Sequence, residues 1–123
     1  MPGRRILVIE DDAMVRASMH GILTSWGCTV DLADTIDSAI AAAELSPPDL
    51  VISDYRLNSG QTGLEAIAGV QRVAGRSVLA FLITAETNAD RLRDAAMSGF
   101  PILHKPVNPM ALRAMSSRLL ADG

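Results

Sequence analysis

Four apolar runs in this chain each end on a side chain that can do chemistry. "RRILVIE" (Arg4–Glu10) leads into "EDD", which is Glu10, Asp11 and Asp12. "DLVISD" (Asp49–Asp54) closes on Asp54, and "SVLAFLIT" (Ser77–Thr84) closes on Thr84. "FPILHKPVNP" (Phe100–Pro109) holds Lys105 directly before Pro106, which keeps the preceding residue extended. Carboxylates brought together repel one another, and their pKa values rise unless a cation neutralises them. Hard oxygen donors with little sulfur or imidazole around them suit Mg²⁺ rather than zinc. Such an ion can hold a phosphoryl group against a carboxylate nucleophile. Lys105 can take a second phosphoryl oxygen as a point charge, and the Thr84 hydroxyl can donate to a third. Those parts suffice for phosphoryl transfer, where catalysis is mostly positioning and charge neutralisation.

Each feature alone has an ordinary explanation. "EDD" can be a solvated turn, with Asp12 as a helix N-cap. Asp54 after an apolar strand is unremarkable, and a lone threonine is commonly a cap or turn residue. Lys105 is the least ordinary, because lysine is rarely buried unpaired. The combination carries the reading, provided that the chain brings these ends together.

The patterning predicts that it does. The three long apolar runs read as strands inside a parallel sheet, apolar on both faces. "CTVDLA" (Cys28–Ala33) is a shorter alternating strand and "PILH" (Pro101–His104) a fifth. Between them lie helical patterns. Val15, Met19, Ile22 and Leu23 recur at helical spacing and stop at Gly27. Thr35 or Asp37 caps a second helix reaching Leu45, ahead of Pro47 and Pro48. Leu64, Ile67, Ala68 and Gln71 mark a third, closed by Gly75. Thr87 or Asn88 caps a fourth that runs to Gly99. Asn108 caps a fifth, with Pro109 at its first position and Leu112, Met115 and Leu119 as its apolar stripe. Five strands alternating with five helices predict an α/β domain, doubly wound, with helices on both faces of the sheet. In such sheets ligands bind beyond the carboxyl ends of the strands, where these acids, the hydroxyl and the lysine all fall.

Bulk properties narrow the setting. The chain has 123 residues, enough for one domain, with 49% hydrophobic and 20% charged residues. A net charge of −3 gives no reason to expect direct nucleic-acid binding. The single cysteine, Cys28, rules out an internal disulfide and reads as a small buried hydrophobe. No apolar run approaches the roughly 20 residues of a membrane span, and "MPGRR" lacks the apolar stretch of a signal peptide. A cytoplasmic protein is expected, with no membrane partner.

The motifs together resemble the receiver domain of two-component response regulators, across essentially the whole chain (1–123, a single domain). "ILVIEDD" is similar to the strand 1 acidic motif of that family and "VISDYRL" to its phosphoacceptor motif. "LITAE" is similar to its strand 4 hydroxyl motif and "HKP" to its lysine motif. The resemblance implies a flavodoxin-like sheet of order 2-1-3-4-5. It implies that Asp54 accepts phosphate from a histidine kinase or histidine phosphotransfer domain, with Thr84 and Lys105 binding the phosphoryl group. It implies Mg²⁺ held by Glu10 (through water), Asp11, Asp54 and the Arg56 backbone carbonyl. It also implies a cis peptide bond before Pro106, a docking surface on helix 1, and a phosphate lifetime modulated by Arg56 and Glu86. Such a domain catalyses its own phosphorylation and slow dephosphorylation but serves mainly as a switch, and it is compatible with a homodimer.

The chain departs from the family pattern in two places. The loop "YRLNSGQTG" has Asn58 where proline is usual, and Gly63 comes one residue late, so a longer and looser loop is expected. Ile102 occupies a position that is usually aromatic and swings inward on activation. More narrowly, "GFPILHKPVNPMALR", "SDYRL" and "TGLEAI" resemble receivers at the C-terminus of hybrid sensor histidine kinases; the alternative is a stand-alone regulator. Two other classes fit less well. Phosphatases with an aspartyl nucleophile normally carry a second Asp two residues on, where this chain has Arg56. A flavin binder wants a phosphate-cradling loop after strand 1, where "EDDAMVR" would repel phosphate.

Overall fold

The computed structural model describes residues 2–122. The chain alternates strand and helix throughout: β1 (Arg5–Ile9), α1 (Ala13–Ser25), β2 (Thr29–Ala33), α2 (Ile36–Leu45), β3 (Leu50–Asp54), α3 (Gly63–Ala74), β4 (Leu79–Thr84), α4 (Ala89–Ala96), β5 (Ile102–His104) and α5 (Pro109–Asp122). The five strands form one parallel sheet of order β2-β1-β3-β4-β5, the doubly wound arrangement that the patterning predicts.

Strand parity sorts the core into two layers. On one face Ile6, Val8, Leu50, Ile52, Phe81 and Ile83 pack with Met19 and Leu23 of α1 and Leu112 and Leu120 of α5. On the other, Leu7, Ile9, Val51, Ala80 and Leu82 pack with Ala39 and Ala43 of α2 and Ala66, Ile67 and Val70 of α3. Both faces of the central strands are therefore dry, which is why they read as unbroken apolar runs. Cys28 is buried in the first layer. Among the described residues no helix is long and apolar enough to cross a membrane.

Helix caps follow the sequence closely. Asp12 accepts from the Met14 and Val15 amides, Thr35 from Ser38 in a capping box, and Asn88 from Asp90 and Arg91. Asn108 accepts from Met110 and Ala111, with Pro109 first in α5. Three expectations need correction. Helix α4 stops at Ala96 rather than Gly99, because the Ser98 hydroxyl takes the Ala95 carbonyl and turns the chain. The buried stripe of α5 is Leu112, Ser116 and Leu120, with Met115 and Leu119 only half-buried beside it.

The third correction concerns the loop between β3 and α3, which is longer but not loose. Leu57 donates to the Gln61 carbonyl and Gly63 to the Tyr55 carbonyl, closing an Arg56–Thr62 bridge around a 3-10 turn at Asn58–Gly60. Buried Leu57 anchors it.

Candidate functional site

Three charged side chains converge because their strands share a parity. Glu10 follows Ile6 and Val8, Asp54 follows Leu50 and Ile52, and Lys105 follows Leu103, all on the α1/α5 face. Backbone bonds fix the strand ends: Glu10 N donates to Ala33 O, Tyr55 N to Ile83 O, and Lys105 N to Thr84 O. The Lys105–Pro106 peptide bond is cis, as the resemblance implies.

The Lys105 ammonium lies 2.9 Å from Asp54 Oδ2, to which it donates, and 3.0 Å from Glu10 Oε2. The second contact is an ion pair without hydrogen-bond alignment, so Glu10 Oε2 is buried outside any hydrogen bond. The other Glu10 oxygen accepts from Asp12 N at 3.0 Å. Glu10 is fully buried, and loss of hydration pushes its carboxyl up from 4.5 to about 7, against the pull of the Asp12 amide and Lys105. Burial alone would lower the Lys105 pKa, but the hydrogen bond to Asp54 and the negative charge of Asp54 and Glu10 outweigh it and raise the value.

Oxygens of Glu10, Asp11 and Asp54 all lie within 4.8 Å of one another. Three hard donors, one of them buried with an unaligned oxygen, fit a small divalent cation such as Mg²⁺. Neither bond that closes the Arg56–Thr62 bridge uses the Arg56 carbonyl. Gly63 matters here: a Cβ would meet the Asp54 carbonyl oxygen, with Ser53 Oγ 2.9 Å away. Glycine lets α3 start directly against the end of β3.

Thr84, on the other strand parity, is buried and its Oγ1 accepts from Glu86 N at 3.0 Å, which leaves the hydroxyl proton to be given elsewhere. A cleft of about 340 Å³ is lined by Asp54, Thr84 and Lys105, with Arg56, Glu86 and Arg91 also contributing. Arg56 and Glu86 pair across it at 3.7 Å. The Asn88 amide, followed by Arg91 and Arg56, holds the Glu86 carboxyl below its ordinary value despite partial burial. Asp12 lies outside this group of three acids, and its carboxylate caps α1. Ile102 packs half-buried in the α2/α3 layer, near Phe100.

Two arginines near the site were not singled out from the sequence. Arg16 Nη1 donates to the Glu10 carbonyl at 2.8 Å, and Arg91 Nη1 lies 3.4 Å from Glu86 Oε2. Arg91 sits among other charged residues of α4, and Arg16 stands alone in α1 with nothing in its local sequence that ties it to the site.

The comparisons with known proteins agree with this geometry. Residues 6–117 match the response regulator receiver domain family. The phosphate regulon transcriptional regulatory protein PhoB of Klebsiella pneumoniae is 33% identical over 113 residues, covering 90% of this chain and 49% of PhoB. The sensor histidine kinase AruS of Pseudomonas aeruginosa is 32% identical over 112 residues, covering 88% of this chain and 11% of AruS. The chain thus spans about half or less of the length of these relatives. Among solved structures, the receiver domain of sensor histidine kinase PA1611 from Pseudomonas aeruginosa, with magnesium in its active-site cleft, superposes with a TM-score of 0.83. It is 25% identical, and the match covers 97% of this chain and 98% of that one. The chain belongs to the response regulator receiver family and is a receiver domain of two-component phosphorelay signalling.

Proposed function

We propose that residues 1–123 form a single receiver domain that accepts a phosphoryl group on Asp54 from a phosphohistidine, in a Mg²⁺-dependent reaction, and changes conformation in response. The observation that carries this is the Lys105 ammonium bridging the Asp54 and Glu10 carboxylates at 2.9 and 3.0 Å, beside Asp11. Glu10, Asp11, Asp54 and the Arg56 carbonyl would hold Mg²⁺, and the magnesium in the cleft of the PA1611 receiver supports that assignment. When bound, the ion supplies charge neutralisation at the phosphoryl oxygens.

The chain's own groups do the rest. A carboxylate oxygen of Asp54 forms the new bond to phosphorus while the bond from phosphorus to the histidine nitrogen breaks. Lys105 moves from its carboxylate partner to a phosphoryl oxygen, and the Thr84 hydroxyl donates to another. Thr84 giving up its present place would carry the change toward Ile102 on the neighbouring strand, where Leu82 pairs with Ile102.

The donor would dock on α1. A groove of about 580 Å³ adjoins Lys105 and is lined by Met14, Val15, Ser18, Ile22, Pro106 and Val107. Its apolar floor suits a helical histidine-bearing partner. Val15 and Ile22 also pack on the core, whereas Met14 is 83% exposed. A receiver within a hybrid sensor histidine kinase is our reading of the wider chain, supported by the likeness to AruS; the likeness to PhoB supports a separate regulator instead. A cytoplasmic setting fits either. The experiment is phosphate uptake from acetyl phosphate with Mg²⁺. Wild type takes up label, and Asp54→Asn does not; full labelling of that variant would remove the proposal.

A further inference from the structure

The three acids of the site are not held alike. Lys105 contacts both Glu10 and Asp54, and Glu10 Oε1 also accepts from Asp12 N at 3.0 Å. Asp11 completes the group, yet its carboxylate accepts no hydrogen bond from any described residue. Its place beside the other two is set by its backbone.

That backbone has just left the sheet. Strand β1 ends at Ile9, and Glu10 N still donates to Ala33 O at 3.0 Å. Among the described residues no backbone amide donates to the Glu10 carbonyl. Arg16, in the first turn of α1, fills that role: its Nη1 donates to Glu10 O at 2.8 Å. A peptide unit is planar, so the direction of the Glu10 carbonyl sets where the Asp11 amide and Cα lie. Arg16 is half-buried and lines neither the cleft above Asp54 nor the groove beside α1. We propose that Arg16 is a positioning residue for the metal: it fixes the Glu10–Asp11 peptide, presets the Asp11 carboxylate beside Glu10 and Asp54, and thereby raises Mg²⁺ affinity. This rests on the reading of those three acids as the Mg²⁺ site.

Charge and position predict opposite signs for the loss of Arg16. A guanidinium near a site for a divalent cation repels that cation, so by charge alone its removal tightens Mg²⁺. By position, its removal frees the peptide, Asp11 must be ordered when the ion binds, and Mg²⁺ weakens. The hydrogen bond is short and serves a carbonyl that no backbone amide takes, whereas the charge is partly exposed and screened, so position wins.

The experiment titrates Mg²⁺ into wild type and Arg16→Ala by calorimetry, and follows phosphorylation by acetyl phosphate as a function of Mg²⁺. Arg16→Ala weakens Mg²⁺ about tenfold, the scale for removing a group that orients a metal ligand. Its rate curve moves to higher Mg²⁺ by the same factor and reaches the wild-type ceiling. Arg16→Lys, which keeps a donor on a long stem, recovers most of the affinity. If Arg16→Ala unfolds, Arg16→Met carries the same test, because it retains the apolar stem without the donor. Equal or tighter Mg²⁺ in a folded variant overturns the inference, as does a lowered ceiling with unchanged Mg²⁺ affinity. Failure of wild type to bind Mg²⁺ would remove the metal-site reading, and this inference with it.

Discussion

Glu10 is fully buried with one carboxylate oxygen outside any hydrogen bond, and its pKa stands near 7 rather than 4.5. A carboxyl held above its ordinary value stabilises the fold as the acid. That contribution is complete below about pH 4.5 and is lost as pH rises through about 7. Metal-free protein should therefore lose stability across this window, by on the order of 2–3 kcal/mol. Urea melts from pH 4.5 to 8 measure it, and Glu10→Gln should flatten the profile. A metal-free midpoint that climbs with pH in wild type would contradict this account of Glu10. The Arg56–Glu86 pair in the same cleft is expected to act on kinetics. Lying across the mouth, it should hinder the water that would attack the phosphoryl group in line. Arg56→Ala and Glu86→Ala should each shorten the phosphate lifetime by about two- to fivefold, followed after acetyl phosphate is removed. A longer lifetime in Glu86→Ala would mean that Glu86 orients the water instead.

Helix α1 and the strand ends show how far sequence pattern reaches. Asp12 caps α1 and thereby sets the helix phase, which buries Met19 and Leu23 and leaves Met14 and Ser18 along the groove. Met14→Glu or Ser18→Glu should slow transfer from a histidine kinase roughly tenfold or more, as expected for a charge placed in an apolar contact. Transfer from acetyl phosphate should continue at its usual rate. Equal losses with both donors would point to damage at the acid site. The convergence of Glu10, Asp54 and Lys105 was legible because period-two alternation and parallel register depend on local sequence. The tie across the β3–α3 loop was not, since it rests on backbone bonds between residues without distinctive side chains, Tyr55, Leu57, Gln61 and Gly63. The burial of Ser116 was hidden for a similar reason. Helical spacing offered Met115 and Leu119 as better apolar candidates, and only packing against the sheet selects the adjacent face. Arg91 belongs with these, because its partner Glu86 lies in the loop before α4 and the pair faces a cleft formed by three strand ends.

The molecule as a whole is a sheet that carries its apolar core in two layers and its charge at one end. The order β2-β1-β3-β4-β5 puts β1, β3 and β4 side by side, so acids and hydroxyl from distant parts of the chain become neighbours at the topological switch. Edge strand β5 then brings Lys105 in from the side, 51 residues along the chain from Asp54. The central claim is that this assembly exists to load one carboxylate. Mapping the phosphorylated residue tests it most directly. The protein is treated with acetyl phosphate and Mg²⁺, the acyl phosphate is trapped by hydride reduction, and the modified peptide is sequenced by mass spectrometry. The account predicts modification at Asp54 alone, dependent on Mg²⁺. Modification at Glu10, Asp11 or Asp12 with Asp54 untouched, or none at all in folded protein, would contradict it.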